Sequence, residues 1–335
     1  MPAHDSVSSS GAQWSRRSFL ALTAGAAVVA AGCSSQKPGA IAGDGSVTVK
    51  HAFGETKIPG PPKRVVSAGF TGQDDLLALG VVPVAVTDWF GNEPFGVWPW
   101  AQAKLSGAQP AVLNLYDGIQ VDPIAALRPD LIVATNAGLD ADTYAKLSAI
   151  APTVAQSGQD AFFEPWKEQA GTIGQAVFKH DDMDKLVAAV DEGFVNAGKN
   201  NASFNGKKIV VVSATFFQDM ADVTPPGWRT EFLTQMGFAI PDSVNEFVTQ
   251  GRAQVPRDKL ASVLDAADVV VWKTENDQEQ AALVADPMFM ALKSTKANRN
   301  VFTGKDLSGA IAFSSVLSYP VVANQLPPMI AKVLA

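Results

Sequence analysis

The side chains of this 335-residue chain best placed to do chemistry by contact are aromatic. Asp88-Trp89-Phe90-Gly91 and then Trp98-Pro99-Trp100 follow Val81–Thr87, an apolar run that reads as a buried strand. Ligands of a parallel sheet sit beyond the carboxyl ends of its strands. Asp88, Trp89, Trp98 and Trp100 therefore stand where a bound molecule would touch, although Trp98 and Trp100 could equally pack a long loop. Covalent chemistry finds no such footing. The chain has no Gly-x-Ser-x-Gly elbow, His-Glu-x-x-His pair, Walker loop or dinucleotide fingerprint. The adjacent acids Asp74-Asp75 and Asp181-Asp182 would point about a quarter turn or more apart on a helix. They read as helix-start residues, which favour negative charge. His51 and His180 have no metal-ligand spacing, and Cys33, the single cysteine, can form neither a disulfide framework nor a thiolate metal site.

The elements that must position these groups are strand–helix units. A hairpin over Val47–Ile58 precedes the strand of PKRVV, a Gly-containing turn and a helix ending Leu79-Gly80-Val81. The same order returns in KKIVVV, a loop, and a helix ending Met236-Gly237-Phe238. Asp122-Pro-Ile-Ala-Ala-Leu-Arg-Pro-Asp before LIVA is echoed by Asp258-Lys-Leu-Ala-Ser-Val-Leu-Asp-Ala-Ala-Asp before VVV. Two echoes in the same order point to two lobes of similar build. Between them, Phe162, Trp166, Ala170, Ile173 and Val177 share one helical face, which predicts a central helix over 162–178. A second helix should turn Met183, Leu186, Val187, Val190 and Phe194 inward.

With 47% hydrophobic residues the chain can build real cores, and a net charge of −7 is a poor match for nucleic acid. Its start reads as an address. Ser15-Arg16-Arg17-Ser18-Phe19-Leu20 and the small-residue run Ala21–Ala31 form a twin-arginine export signal too short to span a membrane. Ala30-Ala31-Gly32-Cys33 resembles the lipobox of bacterial lipoproteins, in which Cys33 is lipidated and becomes the first mature residue. The expected layout is a signal peptide over 1–32, a flexible tether over 33–46, a lobe over 47–161, linking helices over 162–200 and a second lobe over 201–335. The body would hang on the outer face of the cytoplasmic membrane by lipid alone.

The order of hairpin, PKRVV strand, LLALGV helix end, acid-opened helix, RPDLIV strand and central helix resembles the substrate-binding lipoproteins of bacterial iron–siderophore, haem and cobalamin ABC importers. In the second lobe the similarity rests on FLTQMGF, VPRDKLASVLDAADVVVW and LSGAIAFSSVLSYPVVANQLPPMI. The resemblance implies two α/β, Rossmann-like lobes joined by a single long helix, with ligand in the cleft between them. It also implies docking on an ABC transporter permease through one carboxylate on each lobe. Asp122 and Asp258 hold those positions, one methylene shorter than the family's glutamates, and either could instead cap its helix.

The cleft candidates then lie in loops after strands: Phe70, Thr71 and Gln73; Asp88 and Trp89; Asn136; Phe216; Trp228-Arg229; and Trp272-Lys273, with Arg252 as a further cation. The family's siderophore binders place arginines after the PD-strands, and here Lys273 and Arg229 take the second-lobe positions. The first-lobe strand ends Thr135-Asn136-Ala137 without one, which favours a hydroxamate or phenolate chelate over a highly charged catecholate. The implied function is capture of a ferric siderophore, the ligand carrying the iron, by a monomeric receptor that is no enzyme and needs no cofactor. A haem receptor, with Tyr116, Tyr144 or Tyr319 as axial ligand, ranks second. A cobalamin receptor, an envelope scaffold lipoprotein and a secreted hydrolase rank lower.

Overall fold

Burial alternates along β1 (Val47–His51) and β2 (Gly54–Ile58), an antiparallel hairpin that turns Val47, Val49 and Ile58 into the core. The computed structural model describes residues 37–335, which form one compact unit. The leader, Cys33 and the first residues of the tether lie outside them. Five short strands follow the hairpin: β3 (Val65–Ser67), β4 (Ala85–Thr87), β5 (Ala111–Leu113), β6 (Leu131–Ala134) and β7 (Thr153–Ala155). They form a parallel sheet in the order β5-β4-β3-β6-β7. The fully buried runs of β3, β4, β6 and β7 are what a sheet covered on both faces requires.

Two helices, Trp166–Ala176 and His180–Asn200, carry the chain onward. The first packs on the hairpin and on the helix Gly72–Ala78; the second, the longer, packs on Glu231–Gln235 and Tyr319–Leu334 of the following lobe. The expected helix over 162–178 starts later, at Trp166. Pro165 caps it, and the residue before a proline is pushed out of the helical region. Phe162 therefore lies outside the helix and is exposed, whereas Trp166, Ala170, Ile173 and Val177 are buried as their spacing requires.

The second sheet comprises β8 (Ile209–Phe217), β9 (Met220–Val223), β10 (Val248–Thr249), β11 (Arg252–Pro256), β12 (Val269–Lys273) and β13 (Asn300–Phe302), in the order β10-β11-β9-β8-β12-β13. Only β8, β12 and β13 keep the parallel arrangement; β9 to β11 add an antiparallel edge.

The sequence echoes have structural counterparts. The Asp130 carboxylate accepts from the amides of Lys63 and Arg64, which lead into β3; Asp268 accepts from the Lys208 amide, which leads into β8. Gly80 and Gly237 end their helices at φ +72° and +96°, a conformation that only glycine adopts without strain. One contiguous core runs through both lobes along the linking helices, from Val65 and Leu131 past Ile173 and Phe194 to Val211, Val269 and Ile330. Among the described residues, no helix is long and apolar enough to cross a membrane.

Candidate ligand-binding site

The strand order of the first sheet reverses between β3 and β6, and the loops beyond such a switch point form a natural crevice. Gly69 allows those two loops to meet, since a side chain there would collide with the Thr135 carbonyl. Beyond it Thr71 Oγ1 accepts from Gln169 Nε2 at 3.0 Å and from Asn136 Nδ2 at 3.3 Å. Asn136 Nδ2 also donates to Gln169 Oε1, and Asn136 Oδ1 accepts from the Glu164 amide at 3.0 Å. Asn136, buried and at φ +51°, is thus a brace with its amide fully used.

Aromatic rings wall this brace. Phe70 stacks on Trp89 at 5.4 Å between centroids, and Trp89 meets Phe163 at 4.9 Å and Phe313 at 5.8 Å. Phe313 ends the second-lobe helix Gly304–Phe313, so the wall joins both lobes. From the second lobe, the Arg229 guanidinium lies 4.3 Å from the Trp228 ring and 5.6 Å from the Phe163 ring. Between the lobes lies a cavity of about 10 Å³, lined by Thr71, Asn136, Phe163, Glu164, Arg229 and Phe313 among others. That is room for about one water. A larger ligand enters this cavity only if its walls part.

Charge is divided between the two walls. Lys273, at the end of β12, is partly buried; desolvation lowers its pKa most, and Arg229 adds to this, while Asp222 and Glu275 oppose it. Burial likewise draws Arg229 down, opposed chiefly by Asp222. Arg252 pairs with the same Asp222 at 4.0 Å on the surface. The three expected cations therefore gather around one carboxylate. On the first lobe, burial pushes the Glu164 carboxyl up, although Ser157 donates to it; its Oε1 has no partner.

Several expected contacts lie elsewhere. Trp98 is 1% exposed, stacked on Trp100 and covering Gly309, where a side chain would run into the indole. It is the packing residue of a long loop. Trp100 spends its Nε1 on Asp74 at 2.8 Å. Trp272 is fully buried in the outer core of the second lobe, against Phe289, with Nε1 donating to Asn300 at 3.0 Å. Strand alternation turns it to the face opposite that of its neighbour Lys273. Gln73 is buried with its amide on the Gly96 carbonyl. Phe216 lies under Arg257 and lines a separate 510 Å³ groove of the second lobe. Asp88 is half-buried and its carboxyl is raised by burial, outside the interlobe cavity.

Asp122 and Asp258 each stand second in a short helix, exposed, capped by Gln120 and Pro256 instead and bonding no cap amide. The capping role falls away. Among the described residues no tyrosine or histidine lines the interlobe cavity: Tyr116 is 85% exposed, Tyr144 stacks on Phe53, and Tyr319 is buried with its hydroxyl on Ser314.

Phe163, Glu164, Gln169, Phe313 and Ser314 are site residues that sequence reasoning missed. Pro165 was a usable signal for Glu164 alone, since a proline pushes the residue before it out of the helical region.

The family described as periplasmic binding protein matches residues 65–307. A periplasmic solute binding protein from Mycobacterium smegmatis, known by crystal structure, is 63% identical and superposes with a TM-score of 0.83, covering 87% of this chain and 100% of that one. The Probable siderophore-binding lipoprotein YfiY of Bacillus subtilis is 30% identical over 266 residues, 75% of this chain and 78% of its own length. The iron(3+)-hydroxamate-binding protein FhuD of the same organism is 34% identical over 212 residues, 59% of this chain and 63% of its own.

Proposed function

Because the chain belongs to the periplasmic binding protein family, we propose that it captures a ferric siderophore, of hydroxamate or phenolate type, and hands it to an ABC importer permease. The observation that carries this reading is the meeting of an aromatic wall, Phe70, Trp89 and Phe313, with the second-lobe cation Arg229, Phe163 filling the space between them. Aromatic faces suit the organic shell of a chelate, and a few cations suit its residual negative charge. The lack of an arginine after β6, where Asn136 stands as a brace, favours a weakly charged complex. FhuD's hydroxamate description and YfiY's siderophore description support the ligand class.

The protein acts by binding and release, without turnover. Cys33 carries its lipid anchor, the twin-arginine leader exports it, and Asp122 and Asp258 face the permease from the two lobes. A haem receptor is the weaker alternative, since among the described residues no tyrosine or histidine lines the cavity.

Native mass spectrometry against a panel tests the ligand class. The panel holds a ferric hydroxamate, a ferric phenolate–hydroxamate, a ferric catecholate, haemin and cyanocobalamin, each chelate also offered iron-free. Retention of a ferric hydroxamate or phenolate at one per chain is expected. Retention of haemin alone would replace the ligand, and retention of nothing would remove the receptor reading.

A further inference from the structure

Asp74 and Asp75 open the helix Gly72–Ala78 and look like ordinary acids of a first turn. Such acids normally face water. These two are 0% and 2% exposed, and they lie at a contact between the lobes. Asp74 Oδ2 accepts from Ser315 Oγ at 2.6 Å and from Trp100 Nε1 at 2.8 Å. The Ser315 hydroxyl also accepts from the amides of Leu317 and Ser318, so it is fixed to the segment that opens the last helix, Tyr319–Leu334. The backbone amide of Val316, in that same segment, bears on the Asp75 carboxyl and favours its anion. Each acid leaves its Oδ1 buried without a partner.

Two neighbouring carboxylates cannot both stay ionised in such a place. Among the described residues no lysine, arginine or histidine acts on either; the charged groups that bear on Asp75 are Asp74 and Glu164, and both repel its anion.

We propose that the Asp74–Asp75 pair is a proton-operated latch, holding the two lobes together while it keeps a proton and releasing them as it ionises. On closing, the pair takes a proton from solvent and buries it; on opening, water solvates both carboxylates and the proton returns to solvent. The sign follows from burial. Asp74 is pushed up to about 6 and Asp75 well above its ordinary value, desolvation being the main cause in both. Solvated in an open form, each would return to the ordinary carboxylate range near 3.8. The closed form therefore binds protons more tightly, and the closed-to-open ratio falls as pH rises. One linked proton changes that ratio by up to about tenfold per pH unit. The latch concerns the apo protein and stands whatever the ligand.

The test is a distance measurement between nitroxides on Lys104→Cys in the first lobe and Lys296→Cys in the second, both exposed positions, with Cys33→Ser removing the native thiol. Pulsed electron resonance should give one short separation at pH 5 and a longer component that grows towards pH 8. Asp74→Asn combined with Asp75→Asn should give a distribution that no longer changes with pH. Ser315→Ala keeps both acids and removes one donor from the second lobe; it should enlarge the long component at pH 8. A wild-type distribution unchanged from pH 5 to 8 would overturn the latch, as would a pH response that survives in the double variant.

Discussion

The Arg229 guanidinium lies 5.6 Å from the ring centre of Phe163 and 3.4 Å from its carbonyl oxygen, so a second-lobe cation is held by a first-lobe aromatic. Phe163 itself sits at φ +60°, a conformation that bulky residues avoid. Thr71, Asn136 and Ser314, which line the same small cavity, are at +67°, +51° and +49°. Such backbone costs about 1–3 kcal/mol per residue outside Gly and Asn, and it gathers where function fixes the chain. In the proposed receptor, Phe163 occupies space that the ligand must claim.

Phe163→Ala should therefore strengthen chelate binding. The closed form loses ring contacts worth about 1 kcal/mol, which corresponds to about fivefold in affinity. Isothermal titration of the variant against wild type measures this, and unchanged or weaker binding would count against the displaced-ring picture.

Trp272→Ala should leave ligand binding close to wild type but destabilise the fold by about 3–5 kcal/mol, since a fully buried indole leaves a cavity that its neighbours fill poorly. Denaturant unfolding followed by circular dichroism reads the loss.

How much of this was open to the sequence depends on which force sets each residue. The glycine helix ends, the aspartates before the buried strands and the two-lobe order were legible because local backbone chemistry sets them: positive φ at Gly80 and Gly237, amide capture by Asp130 and Asp268. The direction of a side chain at a strand end was not. Trp272 and Lys273 are neighbours in sequence, yet pleating sends the tryptophan into the outer core and leaves the lysine near Arg229. Asp74 and Asp75 read as helix-start acids, as they are, but no sequence pattern tells that Ser315, 241 positions on from Asp74, will cover them. Phe313 is likewise one apolar residue in an apolar helix until the lobes meet.

Asp122→Ala and Asp258→Ala should separate binding from delivery. Both residues are exposed and neither caps its helix. Stability should change by less than about 0.5 kcal/mol. In cells lacking the native protein, each variant should slow uptake of radioactive ferric chelate about tenfold or more, with a salt dependence, while affinity in vitro stays the same. Full uptake by the double variant would remove these residues from the permease contact.

Asp74 gives stability a pH dependence of defined sign. Its carboxyl is pushed up to about 6 by burial in the folded chain, against 3.8 as its ordinary value. A raised folded value means that its stabilising contribution is complete below about pH 4 and is lost as pH rises through about 6. At 1.36 kcal/mol per pKa unit the loss amounts to about 3 kcal/mol. The stability difference between wild type and Asp74→Asn, measured by urea unfolding from pH 4 to 7, should move against wild type by about that amount. A flat difference would show that the carboxyl is solvated.

The most direct measurement is quenching of tryptophan fluorescence in titrations of wild type, Trp89→Ala and Arg229→Ala with a ferric hydroxamate, a ferric phenolate–hydroxamate and their iron-free forms. The account predicts saturable quenching by one ferric form alone, weakened about tenfold by either substitution, since each removes one wall of the cleft. Equal affinity in all three proteins, or binding that ignores the iron, would contradict the placement of the ligand between the aromatic wall and Arg229.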